Sequence, residues 1–435
     1  MNNSLPSQKL HFVAAYYPEY WPEDIRLMQE ASMTVVHMAE FAWYTMEPSA
    51  GKFNFPWLEL AIEKLAAARI VSVLGTPTAA PPAWLVEKHT DLLAVGENGR
   101  RVQFGNRSHY CVNSPEFHEA TLRIVQAMGK YFGSNPNVIV WQIDNEYNRV
   151  CYCDRCRSLF QQFLADKYGS LDVLNQRWTT AYWSQTYSTW EQIPLPIGYH
   201  NPGLMLEFKH FITESYCKSQ KMQLDTLRPY LPPGVWATHN FIGWHDGYDH
   251  YEIAKDLDMV SWDWYVGTGH HDYLTSGAIH DLTRGFNRRN FWLMETQPGH
   301  VNWSSINNEL NKGEARVMAW HDVALGAEGV LYWQWRSAIG GQEQYHGTLI
   351  DQSGQPRPFY EEVQQLGRDF KAASNLLAGS AVKANVAMLN CYGRASETSL
   401  CIRILFIIRM LKGLSFTKNR KTQMKQKPVI EYILI

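Results

Sequence analysis

Two glutamates stand where an apolar run stops. Residues 138–147 read VIVWQIDNEY, a buried-strand pattern that ends in Asp144, Asn145 and Glu146, and residues 290–296 read NFWLMET, a second run that reaches Glu295. A strand interior that gives way to carboxyls has met either solvent or chemistry. Two carboxyls facing each other across a cleft suit glycosidic-bond hydrolysis. About 5–5.5 Å apart they act as nucleophile and acid/base with retention; about 6.5–9.5 Å apart they leave room for a water and invert. The acid must hold a proton, which burial and a neighbouring carboxylate favour, and the nucleophile must be ionised. A third cluster is of another kind. CYCDRC holds Cys151, Cys153 and Cys156, starting five residues after Glu146, and Cys111 is the candidate fourth thiol. Neighbouring thiols in C-x-C cannot readily bridge each other, but both can point at one ion. Four thiolates suit a closed tetrahedral zinc site with no position left for water.

Such side chains need a rigid frame. Apolar, β-branched runs recur at 11–18, 34–41, 70–77, 137–144, 235–240, 258–265, 290–296 and 329–335. Helical spacing follows at 22–31, 57–68, 116–132, 156–168, 205–228 and 313–325. Eight strands alternating with helices predict an α/β fold, a (β/α)8 TIM barrel over residues 10–375. No G-x-G-x-x-G follows the first strand, which disfavours a doubly wound dinucleotide-binding sheet. In a barrel, chemistry sits at the carboxyl ends of the strands. Those ends hold Glu40, Asn145 with Glu146, His239 with Asn240, Tyr265, Glu295 and Trp335. The fourth and seventh strands lie on roughly opposite sides of the ring, so Glu146 and Glu295 can face each other across its mouth.

Composition agrees with a core-forming enzyme. Of 435 residues, 45% are hydrophobic and 19% charged, and the net charge of −2 argues against a nucleic-acid partner. The 17 Trp and 23 Tyr exceed what a core alone requires and suit stacking on sugar rings. MNNSLPSQKLHF lacks a basic segment followed by an apolar one, and no apolar stretch is long enough to span a membrane. A cytoplasmic location without a membrane partner is expected.

Six motifs in order, YYPEYWPED, AEFAWYTMEPSAGKFNF, WQIDNEY, CYCDRC, FWLMETQPGHVNW and GGQEQYHG, resemble the β-galactosidases of glycoside hydrolase family 42 over residues 11–390. The resemblance implies a retaining β-galactosidase that releases terminal non-reducing β-D-galactosyl residues by double displacement, with Glu146 as acid/base and Glu295 as nucleophile. It implies that Asn145 bonds the sugar 2-hydroxyl, and that Arg107 and Tyr265 hold Glu295 charged and aimed. Trp303 would wall the sugar ring, Glu343 and His346 would grip galactose hydroxyls, and Trp183 would be a further aromatic at the same pocket. One structural zinc per chain on Cys111, Cys151, Cys153 and Cys156 would brace the loop after the catalytic strand, with no organic cofactor. The family's trimer, built through a second domain, is the implied assembly.

The resemblance stops after AVKANVAMLN at 381–390. Residues 392–435 hold nine Lys and Arg against two Asp and Glu, whereas the whole chain holds 40 against 42. The expected organisation is a catalytic barrel over 1–380. Residues 381–435 would be a remnant of the second domain and a divergent basic tail, replacing the family's second and third domains as a truncated or frame-shifted end would. The trimer contacts would then be missing. The alternative is a truncated, weakly active or inactive galactoside-binding barrel.

Overall fold

The structure is a computed structural model that describes residues 9–18, 24–377, 379–384 and 386–390, with strands at 407–409 and 431–434. Nine short strands carry the site: β1 (His11–Ala15), β2 (Val35–Met38), β3 (Val71–Gly75), β4 (Val138–Gln142), β5 (Trp236–Thr238), β6 (Asn240–Ile242), β7 (Ser261–Asp263), β8 (Phe291–Thr296) and β9 (Ala327–Tyr332). They pair in parallel in the order β5-β4-β3-β2-β1-β9-β8-β7-β6. The two ends of that row belong to one stretch of chain. β5 and β6 are halves of a single strand parted at His239; the first half pairs with β4 and the second with β7. The sheet is therefore a closed ring of eight, as expected, with its fifth strand broken.

Strand alternation divides the core into two shells. Val13, Ala15, Val35, Val73, Val140, Trp292, Met294 and Leu331 fill the barrel interior. Their neighbours in the chain, such as Phe12, Val36, Leu74, Trp141, Leu293 and Val330, face the helices. The helix Pro115–Phe132 shows why that outer layer forms. Ser114 caps it by accepting a hydrogen bond from the Phe117 amide, Pro115 occupies its first turn, and Phe117, Ile124, Val125, Met128 and Phe132 make a buried stripe. The helix Tyr273–Asn287, not anticipated from spacing, buries Ser276, His280, Thr283 and Arg284 beside Leu282, so polar side chains interrupt its inward face.

β8 departs from strict alternation. Its register slips against β7 at Trp262/Asp263 and against β9 between Leu293 and Thr296. A bulge of this kind re-aims one side chain. Trp292 and Met294 point inward, and Glu295, which would otherwise face the helices, points into the mouth as well. No helix among the described residues is long and apolar enough to cross a membrane. Beyond the barrel, β10 (Val386–Asn390) pairs antiparallel with β11 (Ile407–Arg409) and β12 (Glu431–Leu434). The rest of the expected basic tail lies outside the described residues.

Candidate active site

The loop after β4 explains its run of polar side chains. Asp144 and Glu146 both adopt left-handed backbone conformations, at φ 55° and 44°, a region that L-residues other than Gly, Asn and Asp seldom enter. Asp144 anchors this turn. Its carboxylate accepts hydrogen bonds from Thr78 Oγ1 at 2.5 Å, Tyr110 Oη at 2.9 Å and the Asn145 amide at 2.7 Å, while its own amide donates to Thr76 Oγ1 at 2.8 Å. Burial pushes the Asp144 carboxyl up to about 6, against the pull of those donors. His239, at the break in the ring, supports the same turn: Nδ1–H donates to the Ile143 carbonyl at 2.8 Å, and its ring stacks on Tyr147 with centroids 3.9 Å apart. Burial lowers His239 to about 3, so it stays neutral scaffolding.

Glu146, at the exit of β4, meets Glu295 on β8 and Asp263 on β7. One oxygen from each lies within 4.8 Å of the others, and all three residues are buried. This spacing falls on the retaining side, below the roughly 6.5–9.5 Å of an inverting pair. Glu295 is held at both oxygens, by Tyr265 Oη at 2.8 Å and by Asn240 Nδ2 at 3.2 Å. The same Asn240 amide lies 2.8 Å from Asp263 Oδ2 and 2.9 Å from Asn145 Oδ1, and Asn240 Oδ1 accepts from the Glu146 backbone N–H at 3.3 Å. Burial pushes Glu295 well up and the Glu146 charge adds to this, while Arg107 and Tyr265 pull it down. Burial, then Glu295 and Glu146, push Asp263 well up. The three groups cannot all be ionised together.

Two expectations are corrected. Arg107 approaches Glu146, with Nη2 2.7 Å from Oε2, rather than holding Glu295 directly; it reaches Glu295 only through its field. Desolvation works against the Arg107 charge, but Glu146, Glu295 and Glu343 around it more than offset that and hold the guanidinium firmly protonated. Trp335, expected at a strand mouth, is turned away and donates from its indole to Asp24 Oδ2 at 3.1 Å. β9 ends at Tyr332, earlier than its apolar run, so the aromatic at the mouth is Trp333. That ring packs edge-on to Tyr17 and Phe41 and donates to Glu343.

Around the carboxyls, buried polar atoms lack protein partners. Asn145 Oδ1 accepts from Asn240 and, at 3.3 Å, from Gln142 Nε2, which leaves Asn145 Nδ2 as an unused donor. Glu343 Oε2 and His346 Nε2 are also without hydrogen bonds, and only a long 3.5 Å contact joins Glu343 to His346 Nδ1. Trp303 stands edge-on to Tyr265 with centroids 5.8 Å apart and is 59% exposed; Tyr265 in turn meets His346 at 6.0 Å. Trp183 is 70% exposed and stacks on Tyr182, and no described contact ties it to the carboxyls. Glu40 lies buried beneath the cluster, accepting from Tyr17 Oη at 3.1 Å and fitting against Gly75, where a Cβ would meet its own at 2.5 Å.

Asn240 and Asp263 are functional neighbours without an assigned role in the sequence reading. Asn240 follows the break at His239, and Asp263 faces Glu295 in the β7–β8 register. An inward polar residue at each strand end was the available signal, but only the shared contacts give it meaning.

The four cysteines come together as expected. One Sγ from each of Cys111, Cys151, Cys153 and Cys156 lies within 4.8 Å of the others, with Cys111 3.9 Å from Cys153 and 3.5 Å from Cys156. Zn–S bonds of about 2.3 Å in a tetrahedron place sulfurs roughly 3.8 Å apart, so the donor set fits zinc. The Val95 amide donates to Cys151 Sγ at 3.3 Å and Asn113 Nδ2 to Cys156 Sγ at 3.6 Å, contacts that favour thiolates. Hydrogen bonding from Cys111, then Cys151 and Cys156, holds the Cys153 thiol well below its usual range.

Comparison with known proteins agrees with this geometry. The sequence profile of a family described as beta-galactosidase, glycoside hydrolase family 42, matches residues 15–373. A β-galactosidase of Thermus sp. is 38% identical over 387 residues, covering 82% of this chain and 60% of that protein. One from Halorubrum lacusprofundi is 36% identical over 405 residues, covering 87% and 57%. The crystal structure of a β-galactosidase from Bacillus circulans sp. alkalophilus superposes with a TM-score of 0.84 at 30% identity, covering 88% of this chain and 59% of that one. The chain thus spans about 60% of the length of the curated relatives it matches. With the family profile covering nearly the whole barrel and the carboxyl pair seated in its mouth, the chain belongs to the β-galactosidase family of glycoside hydrolases, family 42.

Proposed function

We propose that this chain is a retaining β-galactosidase acting on terminal, non-reducing β-D-galactosyl groups. The observation that carries the reading is the buried Glu146–Glu295 pair, with carboxyl oxygens within 4.8 Å, facing unpartnered polar atoms on Asn145, Glu343 and His346. A ligand rich in hydroxyls is what such atoms lack. Glu295, held at both oxygens, attacks the anomeric carbon while Glu146 gives its proton to the leaving oxygen. In the second step Glu146 takes a proton from water, which attacks the same carbon and frees Glu295. Asn145 Nδ2 reaches the sugar 2-hydroxyl, a bond that strengthens in the transition state. Glu343 and His346 bind further hydroxyls, and Trp303 offers its exposed face to the ring. Arg107, beside Glu146 and within the field of Glu295, balances whichever carboxylate is charged.

Zinc on Cys111, Cys151, Cys153 and Cys156 would brace the loop that carries Glu146, and its closed coordination keeps it out of the chemistry. A cluster of free thiols suits a reducing, cytoplasmic setting. Trp183, with no described contact to the carboxyls, serves a galactoside pocket only if a second copy brings it there, as a trimer would. The deciding experiment is azide rescue on an activated aryl β-galactoside. Glu146→Ala should give the β-azide and Glu295→Ala the α-azide. Exchanged anomers would reverse the two roles, and an unmodified chain that leaves the substrate intact would sink the reading.

A further inference from the structure

The proposed reaction uses two carboxyls, and the site contains three. Asp263 is 2% exposed and has an oxygen within 4.8 Å of both Glu146 and Glu295. Donors near the cluster are unevenly shared. Glu295 accepts from Tyr265 on one oxygen and, at longer range, from Asn240 on the other. Glu146 has the Arg107 guanidinium at 2.7 Å. Asp263 has Asn240 on Oδ2, and its buried Oδ1 has no partner. Glu146 Oε2 also lacks a hydrogen bond but has that cation beside it, so Asp263, bare at Oδ1 and without a cation, is the least supported of the three as a carboxylate, whereas a carboxylic acid turns the bare oxygen into a donor.

Charge balance points the same way. The groups facing Asp263 are Glu146 after β4, Glu295 on β8 and the hydroxyls of Tyr248 and Tyr265, while Arg107, in the loop before Cys111, acts on Glu146 and Glu295. Among the described residues Arg107 is the single cation at the cluster, and Glu343 draws on it as well, so three ionised carboxyls here would far outnumber it. One cation balances one carboxylate: Glu295 before attack and Glu146 once the glycosyl ester has formed.

We infer that Asp263 is a carboxylic acid throughout the catalytic cycle, donating a hydrogen bond from Oδ1 to Glu146 and so aiming the other Glu146 oxygen at the glycosidic bond. It is a positioning residue: its proton never leaves, and the cluster carries one negative charge at each stage. Burial and the two flanking glutamates favour the neutral form. A carboxylic acid kept neutral near pH 7 by an apolar site in order to donate a hydrogen bond has precedent as a chemical device.

The inference rests on the proposed glycosidase reading, so its test combines an activity arm with one that needs no turnover. Asp263→Asn keeps a neutral donor of the same shape, with the amide oxygen toward Asn240 and the NH2 toward Glu146. It should retain kcat/KM within about threefold with both limbs of the pH profile in place, because no charge has been removed. Asp263→Ala removes the donor and should lower kcat about tenfold or more at near-constant KM, on the scale of impaired acid/base catalysis. Infrared difference spectra of the resting chain at pH 7, unmodified against Asp263→Asn, should show loss of one protonated-carboxyl C=O band. Absence of that band, or an alkaline limb displaced by about one pH unit in Asp263→Asn, would mean that Asp263 is ionised and would overturn the inference. An unmodified chain with no galactosidase activity but with the infrared band would fail the functional reading alone.

Discussion

Asn240 offers the most direct way to unsettle the site without touching either proposed catalytic glutamate. Its NH2 has two hydrogens for three acceptors, Asp263 at 2.8 Å, Asn145 at 2.9 Å and Glu295 at 3.2 Å, so the contact to Glu295 is a shared one. In Asn240→Ala, Glu295 keeps only Tyr265 at 2.8 Å. A hydrogen bond to a charged group contributes about 1.5–3 kcal/mol, and the long contact to Glu295 belongs near the lower figure. Losing a donor to the ionised form favours protonation, so the acid limb of kcat/KM should move to higher pH. At about 1.36 kcal/mol per unit, the displacement is roughly one unit. Asp263 loses its hydrogen-bond donor from Asn240, and a buried polar group left bare costs about 1–3 kcal/mol, so the melting temperature should also fall. The amide of Asn145 loses its tether, so discrimination between a galactoside and its 2-deoxy analogue should narrow. The assay is a pH series on a chromogenic β-galactoside with both substrates, alongside thermal melts. Asn240→Asp is the informative companion, because its acid form can donate one bond and its carboxylate none; its activity should recover as pH falls. If Asn240→Ala leaves the acid limb in place and merely scales the plateau, Asn240 is scaffold and the network argument is wrong.

Further outcomes follow from other parts of the chain. About one zinc should co-purify per chain, and stripping it, or Cys153→Ser, should lower the melting temperature before it alters the pH profile; metal-free protein as stable as the metallated form would remove the structural role. Asp144, raised to about 6 from an ordinary 3.8, binds its proton more tightly in the native state than in the unfolded chain. Its stabilising contribution is therefore full below pH 3.8 and is lost as pH rises through 6, worth about 3 kcal/mol against Asp144→Asn in urea melts. A flat difference between the two proteins across that window would contradict it. Glu343→Gln should raise KM for galactosides more than it lowers kcat, and equal losses in both would place Glu343 in the chemistry instead. Should a second copy complete the pocket, light scattering would show an oligomer and Trp183→Ala would raise KM; a fully active monomer indifferent to Trp183→Ala would exclude that role.

The barrel was legible because buried parallel strands write long apolar runs, and all eight appeared where the runs stood. Glu146 and Glu295 were legible because a carboxyl at the end of such a run is conspicuous. The four cysteines were legible from spacing. What escaped depended on register. Asn240 was legible as a residue at a strand end, but the break at His239 was not, because HNF reads as ordinary strand, and neither was the sharing of its amide among three acceptors. Trp333 and Trp335 are indistinguishable in VLYWQW until the end of β9 fixes which one faces in. Arg107 sits in a loop, where neither period nor pattern says which glutamate it will meet. Asp263 lies within SWDWY as one polar residue between tryptophans, and its meaning comes only from two carboxyls contributed by other strands.

The irregularity in β8 has a consequence for how finely an enzyme of this architecture can set its chemistry. In a regular strand only every second residue looks inward, and at about 3.3 Å per residue the available depths are some 6.6 Å apart. That step is coarser than the difference between a carboxyl pair that retains configuration and one that inverts it. Regular strands alone could miss the working separation by more than its tolerance. The slipped register beside Glu295 supplies the missing intermediate position, acting as a vernier on the barrel's coarse scale. Stereochemical outcome in such a scaffold is then sensitive to a single inserted or deleted residue in one strand. A deletion of Met294 that restored the regular pleat would lower the carboxyl by one rung and remove one of the side chains that fill the barrel interior.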